Sequence, residues 1–191
     1  MRVFHVGPDR FTELDGLPEA LPSTGFLWIG STRREFEQEL AALQERLQRW
    51  QASPLVDLHI SDLLNPQLPS HFDYTSWYDL LVFRRLAASG GAEALPAATE
   101  PAASAQNVLQ GVDTSAVGFA LFDHLLITVH APDCAVREHF AQRLAGLGAS
   151  AEGRAASRLP ASSADLMLRM VNHMVDGYLD LRRVLTRQLG A

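Results

Sequence analysis

The chain has 191 residues, 47% hydrophobic and 20% charged, enough apolar material to bury a sizeable core. Its formal charge is −6, and its sixteen cationic side chains are all arginines spread among Glu and Asp, which excludes a general nucleic-acid binder, whose affinity comes from grouped basic residues. The single cysteine, Cys134, excludes an internal disulfide and a multi-cysteine zinc site, and no stretch has the shape of a signal peptide or the ~18–20 apolar residues of a membrane span.

Residues 3–6 and 26–29 are short apolar runs bounded by Gly and Pro, the pattern of buried strands. Thr32 stands three residues before Glu35, the spacing of a capping box, and Phe36, Leu40, Leu43, Leu47 and Trp50 then recur along one helical face. Ser53-Pro54 interrupts that pattern. Residues 55–65 combine a short apolar run with a helical turn that Ser61 or Asp62 is placed to cap before Pro66. One or two strands are expected in 72–86, with Phe72, Tyr74 and Ser76 on one face. Residues 87–116, rich in Ala, Ser, Gly, Pro and Glu without period, are expected to form a long mobile loop. Two apolar runs, 117–122 and 125–130, flank Asp123-His124 as a hairpin. Pro132-Asp133 is expected to open a helix closed by Gly148, and a final helix begins near Ser162 and runs more than twenty positions. The order of elements predicts one α/β domain over 1–191, a mixed sheet sandwiched between helix layers (α/β/α) and ending in a long C-terminal helix.

The common catalytic signatures are absent: no Gly-x-Ser-x-Gly, no phosphate-binding Gly-x-x-x-x-Gly-Lys, no Gly-x-Gly-x-x-Gly and no His-Glu-x-x-His. Cys134, near a helix start with His130 and His139 close in sequence, leaves a small Cys/His hydrolase as one reading, against the ordinary alternative of a packed, inert thiol. The seven histidines show no repeated ligand spacing on one element. Asp57, Asp62, Asp73 and Asp79 are the more suggestive set, because a hard cation such as Mg²⁺ takes carboxylate and carbonyl oxygens and keeps much of its water. Helix capping is the competing role for Asp62.

The succession of segments resembles the N-terminal cytoplasmic domain of the CorA family of magnesium and cobalt channels. Gly25-Phe-Leu-Trp-Ile is similar to that family's early Trp-containing strand, followed by the capped helix from Thr32. Leu58-His-Ile-Ser-Asp-Leu-Leu-Asn65 resembles its Leu-Glu-Asp-Ile-Leu-Asn stretch, residues 78–86 its next strand, and Leu125-Leu-Ile-Thr-Val-His130 its Leu-Ile-Thr-Val-His strand. Asp165-Leu-Met-Leu with Met174-Val-Asp-Gly-Tyr178 resembles a Leu-rich helix running into Val-Asp-x-Tyr.

The resemblance covers about residues 25–189 and implies a non-enzymatic regulatory domain of a Mg²⁺/Co²⁺ transporter on the cytoplasmic face of the inner membrane. In that family a stalk helix and two membrane helices with a Gly-Met-Asn pore motif follow, and the assembly is a pentamer. Stalk and membrane helices are not in this chain, which implies membrane attachment only through segments beyond it. Asp62 matches a family carboxylate that binds regulatory Mg²⁺ between neighbouring domains, and Asn172 stands where a second family site has Asp. Ser61 replaces the Glu before the first of these, and Leu68-Pro69-Ser70-His71 replaces an Arg-Pro-Lys stretch. Each loss of a carboxylate weakens the field that attracts a divalent cation. A stand-alone binding or scaffold module of the same fold is the other reading of the chain.

Overall fold

The computed structural model describes residues 1–87, 113–149 and 158–189. In chain order the elements are β1 (Arg2–Val6), β2 (Phe11–Leu14), β3 (Phe26–Thr32), α1 (Arg33–Arg49), α2 (Asp57–Leu64), β4 (His71–Tyr74), β5 (Asp79–Leu86), β6 (Thr114–Phe122), β7 (Leu125–His130), α3 (Val136–Ala149) and α4 (Ser163–Leu189). The strands form one seven-stranded sheet in the order β2-β1-β3-β7-β6-β5-β4. Among the described residues only β3 and β7 are paired parallel; every other pairing is antiparallel.

The apolar runs of β3 and β7 are unbroken because both faces of the sheet are covered, so side chains of either parity must be apolar. Leu27, Ile29, Leu125, Ile127 and Val129 face Phe36, Leu43 and Leu47 of α1 and Leu63 of α2. Phe26, Trp28 and Leu126 face the opposite layer, with Phe140 and Leu144 of α3 and Leu166, Met170 and Met174 of α4. The observed architecture is therefore α/β/α. Each large side chain taken fully from water contributes on the order of 1.5–3 kcal/mol. The indole N–H of buried Trp28 donates to Thr128 Oγ1 at 3.1 Å, which satisfies the one polar atom of that core residue.

The capping box at Thr32 is present: the Glu35 N–H donates to Thr32 Oγ1 at 3.2 Å, and the Thr32 N–H donates to Glu35 Oε2 at 2.8 Å. The Asp123-His124 hairpin joins β6 to β7 as expected. Ser162 caps α4 by accepting the Asp165 N–H at 3.1 Å.

One strand is added and three expectations are corrected. β2 is an additional edge strand of mixed polarity, fixed by a fork of Arg2 onto Glu13 at 2.8 and 2.9 Å and by an Arg2–Glu138 bond to α3. Neither Ser61 nor Asp62 caps α2. The helix starts earlier, at Asp57, without a side-chain cap, and the Val56 N–H donates instead to the Tyr78 hydroxyl at 3.0 Å. The expected loop at 87–116 ends in strand, because β6 begins at Thr114 to match the full length of β5; residues 88–112 lie outside the described residues. Finally, α3 starts at Val136, and Gly148 falls inside its last turn, where a Cβ would stand 3.1 Å from the Phe11 backbone nitrogen. The glycine marks close approach to β2, not the helix stop.

Candidate cation site on the α2–β4 edge

Helix α2 lies over the edge of the sheet because Gly118 of β6 leaves room for it. A Cβ at Gly118 would stand 2.4 Å from Leu63 Cδ2, so glycine lets the apolar side of α2 sink onto the strand. This brings the polar side of α2 against the inward face of β4. His59 and Asp62 are three apart on the helix, and His71 and Asp73 are two apart on the strand, so each pair shares a face.

The result is two crossed His–Asp contacts. Buried His59 places Nε2 3.0 Å from Asp73 Oδ2 and Nδ1 2.8 Å from the Tyr78 hydroxyl. With Asp73 ionised, Nε2 carries the proton and donates to it, so Nδ1 accepts from Tyr78, whose oxygen in turn accepts the Val56 N–H. Every polar atom in that chain is paired. The hydrogen bond from His59, helped by the Tyr74 N–H, holds the Asp73 carboxyl below the usual carboxylate range, whereas burial raises the Tyr78 phenol.

Asp62 is mostly shielded from solvent, with Oδ2 3.4 Å from His71 Nε2. His71 Nδ1 faces the Pro69 carbonyl at 3.3 Å, so both ring nitrogens stand beside oxygen acceptors and the neutral ring can donate to only one of them. Asn172 does not join this site: it is exposed on α4, in the helix layer on the opposite face of the sheet. Among the described residues no three His, Cys, Asp or Glu side chains are grouped to hold a metal ion. Asp79 lies at the start of β5, cross-strand from Tyr74, and Asp57 in the first turn of α2, so the four carboxylates do not converge.

The sequence reading missed the His59–Asp73–Tyr78 chain. Its local trace is the i, i+3 spacing on α2 and the i, i+2 spacing on β4, which become meaningful only when the two elements are known to face each other. The surrounding surface is unusually apolar: Leu58, Phe72, Tyr74 and Trp77 are each more than half exposed. Phe72 and Tyr74 stack at 6.3 Å on the outer edge strand. Cys134, by contrast, is buried in the core that contains Phe140, Leu144 and Leu166, the setting of an inert thiol.

No family profile matches the chain, and no curated protein is similar to it in sequence. Solved structures are similar in fold. The soluble domain of CorA from Methanocaldococcus jannaschii superposes with a TM-score of 0.60 at 12% identity, over 98% of this chain and 61% of that one. The fold is that of a CorA-type soluble domain. The full-length CmaX protein gives a TM-score of 0.64 at 13% identity, over 100% of this chain and 49% of that one. The ZntB cytoplasmic domain from Vibrio parahaemolyticus gives 0.56 at 14%, over 95% and 61%. The chain thus spans about half to three-fifths of the solved chains it matches. Among its described residues no helix is long and apolar enough to cross a membrane.

Proposed function

We propose that this CorA-type domain is the cation-sensing part of a divalent metal transporter for Mg²⁺ or Co²⁺, at the cytoplasmic face of the inner membrane, and that its role is regulatory and not enzymatic. The observation that carries the reading is the position of Asp62: a shielded carboxylate on α2, beside an edge strand whose aromatics are left uncovered. Exposed apolar surface of this kind marks an association surface. A neighbouring copy packed there, in a pentamer, would supply the ligands that this chain lacks. A cation shared between subunits stabilises the arrangement that brings their carboxylates together, and its loss lets their repulsion favour the other state, which is the linkage that gates the pore. Asn172, exposed and neutral on α4, adds at most a weak second oxygen donor.

The donors nearest Asp62 bear on which cation is sensed. A neutral His71 sets an imidazole nitrogen beside the carboxylate, a combination that suits Co²⁺ better than Mg²⁺, which prefers oxygen. Titration of Mg²⁺ and Co²⁺ into the chain extended through a stalk helix, followed by sedimentation, tests the reading. Wild type should associate with a defined cation midpoint that Asp62→Ala raises strongly. An unchanged midpoint removes the role of Asp62. A downstream reading frame without apolar spans would turn the assignment to a stand-alone binding module of the same fold.

A further inference from the structure

Strands β3, β5 and β7 run in the same direction and finish at one end of the sheet, where α3 begins and the middle turns of α4 pass. Among the described residues five buried side-chain nitrogen or oxygen atoms lack a hydrogen-bond partner, and four belong to this end: Arg33 Nε, Arg85 Nε and Nη2, and His130 Nε2. The fifth, on Arg46, is ion-paired with Glu19. Neighbouring cations here are already satisfied. Arg84 donates to Thr114, Pro66 and Leu68, and Arg137 to Glu35, Glu138 and Gly30.

Arg85 is 7% exposed; its Nη1 donates to the Leu86 carbonyl, and its Nη2 stops 3.7 Å from Asp133 Oδ1, beyond hydrogen-bond distance. Buried guanidinium donors without acceptors are costly and call for a partner. Arg85 also borders a cavity of about 320 Å³ between α3 and α4, with Val136 in the first turn of α3 on the wall beside His139, His173, Gly177 and Asp180. The first N–H groups of a helix favour an anion at that place. His130 adds the opposite polarity. Its Nδ1 donates to the Ala131 carbonyl at 2.8 Å, so the neutral ring leaves Nε2 as a bare acceptor. Burial keeps that ring neutral by lowering its pKa, and Arg137 and Arg85 act in the same sense.

Two sets of unpaired donors and one unpaired acceptor suit a group that is at once an anion and a hydroxyl donor. A hydrogen phosphate, or a phosphomonoester in its monoanionic form, has both; a carboxylate has no hydroxyl. We propose that the carboxyl ends of β3, β5 and β7 form a phosphoryl-binding site entered from the α3–α4 cavity, in which Arg33 and Arg85 donate to phosphoryl oxygens and His130 Nε2 accepts the phosphate hydroxyl. The guanidinium of Arg85 turns from the Leu86 carbonyl toward the cavity on binding. The site shares no residue with the α2–β4 edge and is independent of the cation reading.

The test is a titration of the full chain with inorganic phosphate against sodium chloride at equal ionic strength, read by the ring nitrogen signals of His130 in NMR. A saturable shift is expected, weakened roughly tenfold or more in Arg85→Gln, as for loss of a charge-assisted hydrogen bond, and unchanged in the exposed Arg187→Gln. Arg33→Gln provides the same test should Arg85→Gln fail to fold. Acetate should give no saturable shift. A wild-type chain whose His130 signals do not saturate, or an Arg85→Gln chain that folds and binds phosphate like wild type, overturns the site; an equal response to acetate overturns the phosphoryl assignment.

Discussion

The α2–β4 edge and the carboxyl end of β3, β5 and β7 both gather histidines and charged side chains at the sheet, yet they treat them differently. At the edge, the His59–Asp73–Tyr78 chain closes on itself, each donor meeting an acceptor down to the Val56 N–H. At the carboxyl end, half-buried Arg33 and buried Arg85 and His130 hold shielded side-chain nitrogens without a hydrogen-bond partner, Arg85 Nη2 standing 3.7 Å from Asp133 Oδ1. A closed polar network fastens one element to another and leaves little to offer a ligand, whereas an open one stores unfavourable desolvation that a ligand can relieve. On this view His59 is a fastener for α2, and the nearby Asp62, outside the closed chain, is the residue of that edge left available.

Substitutions at the two places should therefore have opposite signs. His59→Leu breaks the closed chain and leaves the buried Tyr78 hydroxyl without an acceptor for its proton, so chemical denaturation should show a loss of about 2 kcal/mol. A loss below about 0.5 kcal/mol would erase the contrast. Gly118→Ala reaches the same edge through packing alone: the new methyl meets Leu63 Cδ2 and lifts α2, with an expected loss of about 2 kcal/mol and weakened contact between His59 and Asp73 visible by NMR. Arg85→Met, which replaces an incompletely paired buried cation by an apolar side chain of similar length, should be neutral or stabilising by about 1 kcal/mol without phosphate. A strongly destabilised Arg85→Met would mean that Arg85 is as well paired as His59.

The pH dependence separates the regions with smaller effects. His130 has a folded pKa below its ordinary 6.5, so its contribution is complete above pH 6.5 and is lost as pH falls through the folded value. His173, lowered by burial and by stacked His139, adds to the same window, so His130→Gln should flatten only part of the slope there. Asp73, depressed from 3.8, contributes fully above that pH and loses its contribution as pH falls through its lower folded value. Asp73→Asn should flatten the acid limb alone. If either variant flattened both limbs, the two regions would behave as one titrating unit.

Much of the scaffold could be read from local pattern. Unbroken apolar runs at residues 26–29 and 125–130 pointed to strands covered on both faces, and Thr32 with Glu35 pointed to a helix start that the structure contains. Glu35 illustrates how far that local reading reaches. Burial would raise its carboxyl, but the Thr32 N–H and the Arg137 guanidinium outweigh it and bring the pKa to about 2; the cap was legible three residues away, the arginine on α3 was not. Asp62 was singled out for a family position and as a helix cap, and only the fold put it beside His71 and far from Asn172.

The amino-acid sequence by itself determined most of the strands and helices, though not β2 or the start of α2, because periods of two and 3.6 and the chemistry of caps act over a few neighbouring residues. Tertiary structure alone decided which polar side chains meet. His59 reaches Asp73 only because Gly118 admits α2 to the sheet, and Arg33, Arg85 and His130 come to one end only because β3, β5 and β7 run the same way in a strand order that their sequence positions do not reveal.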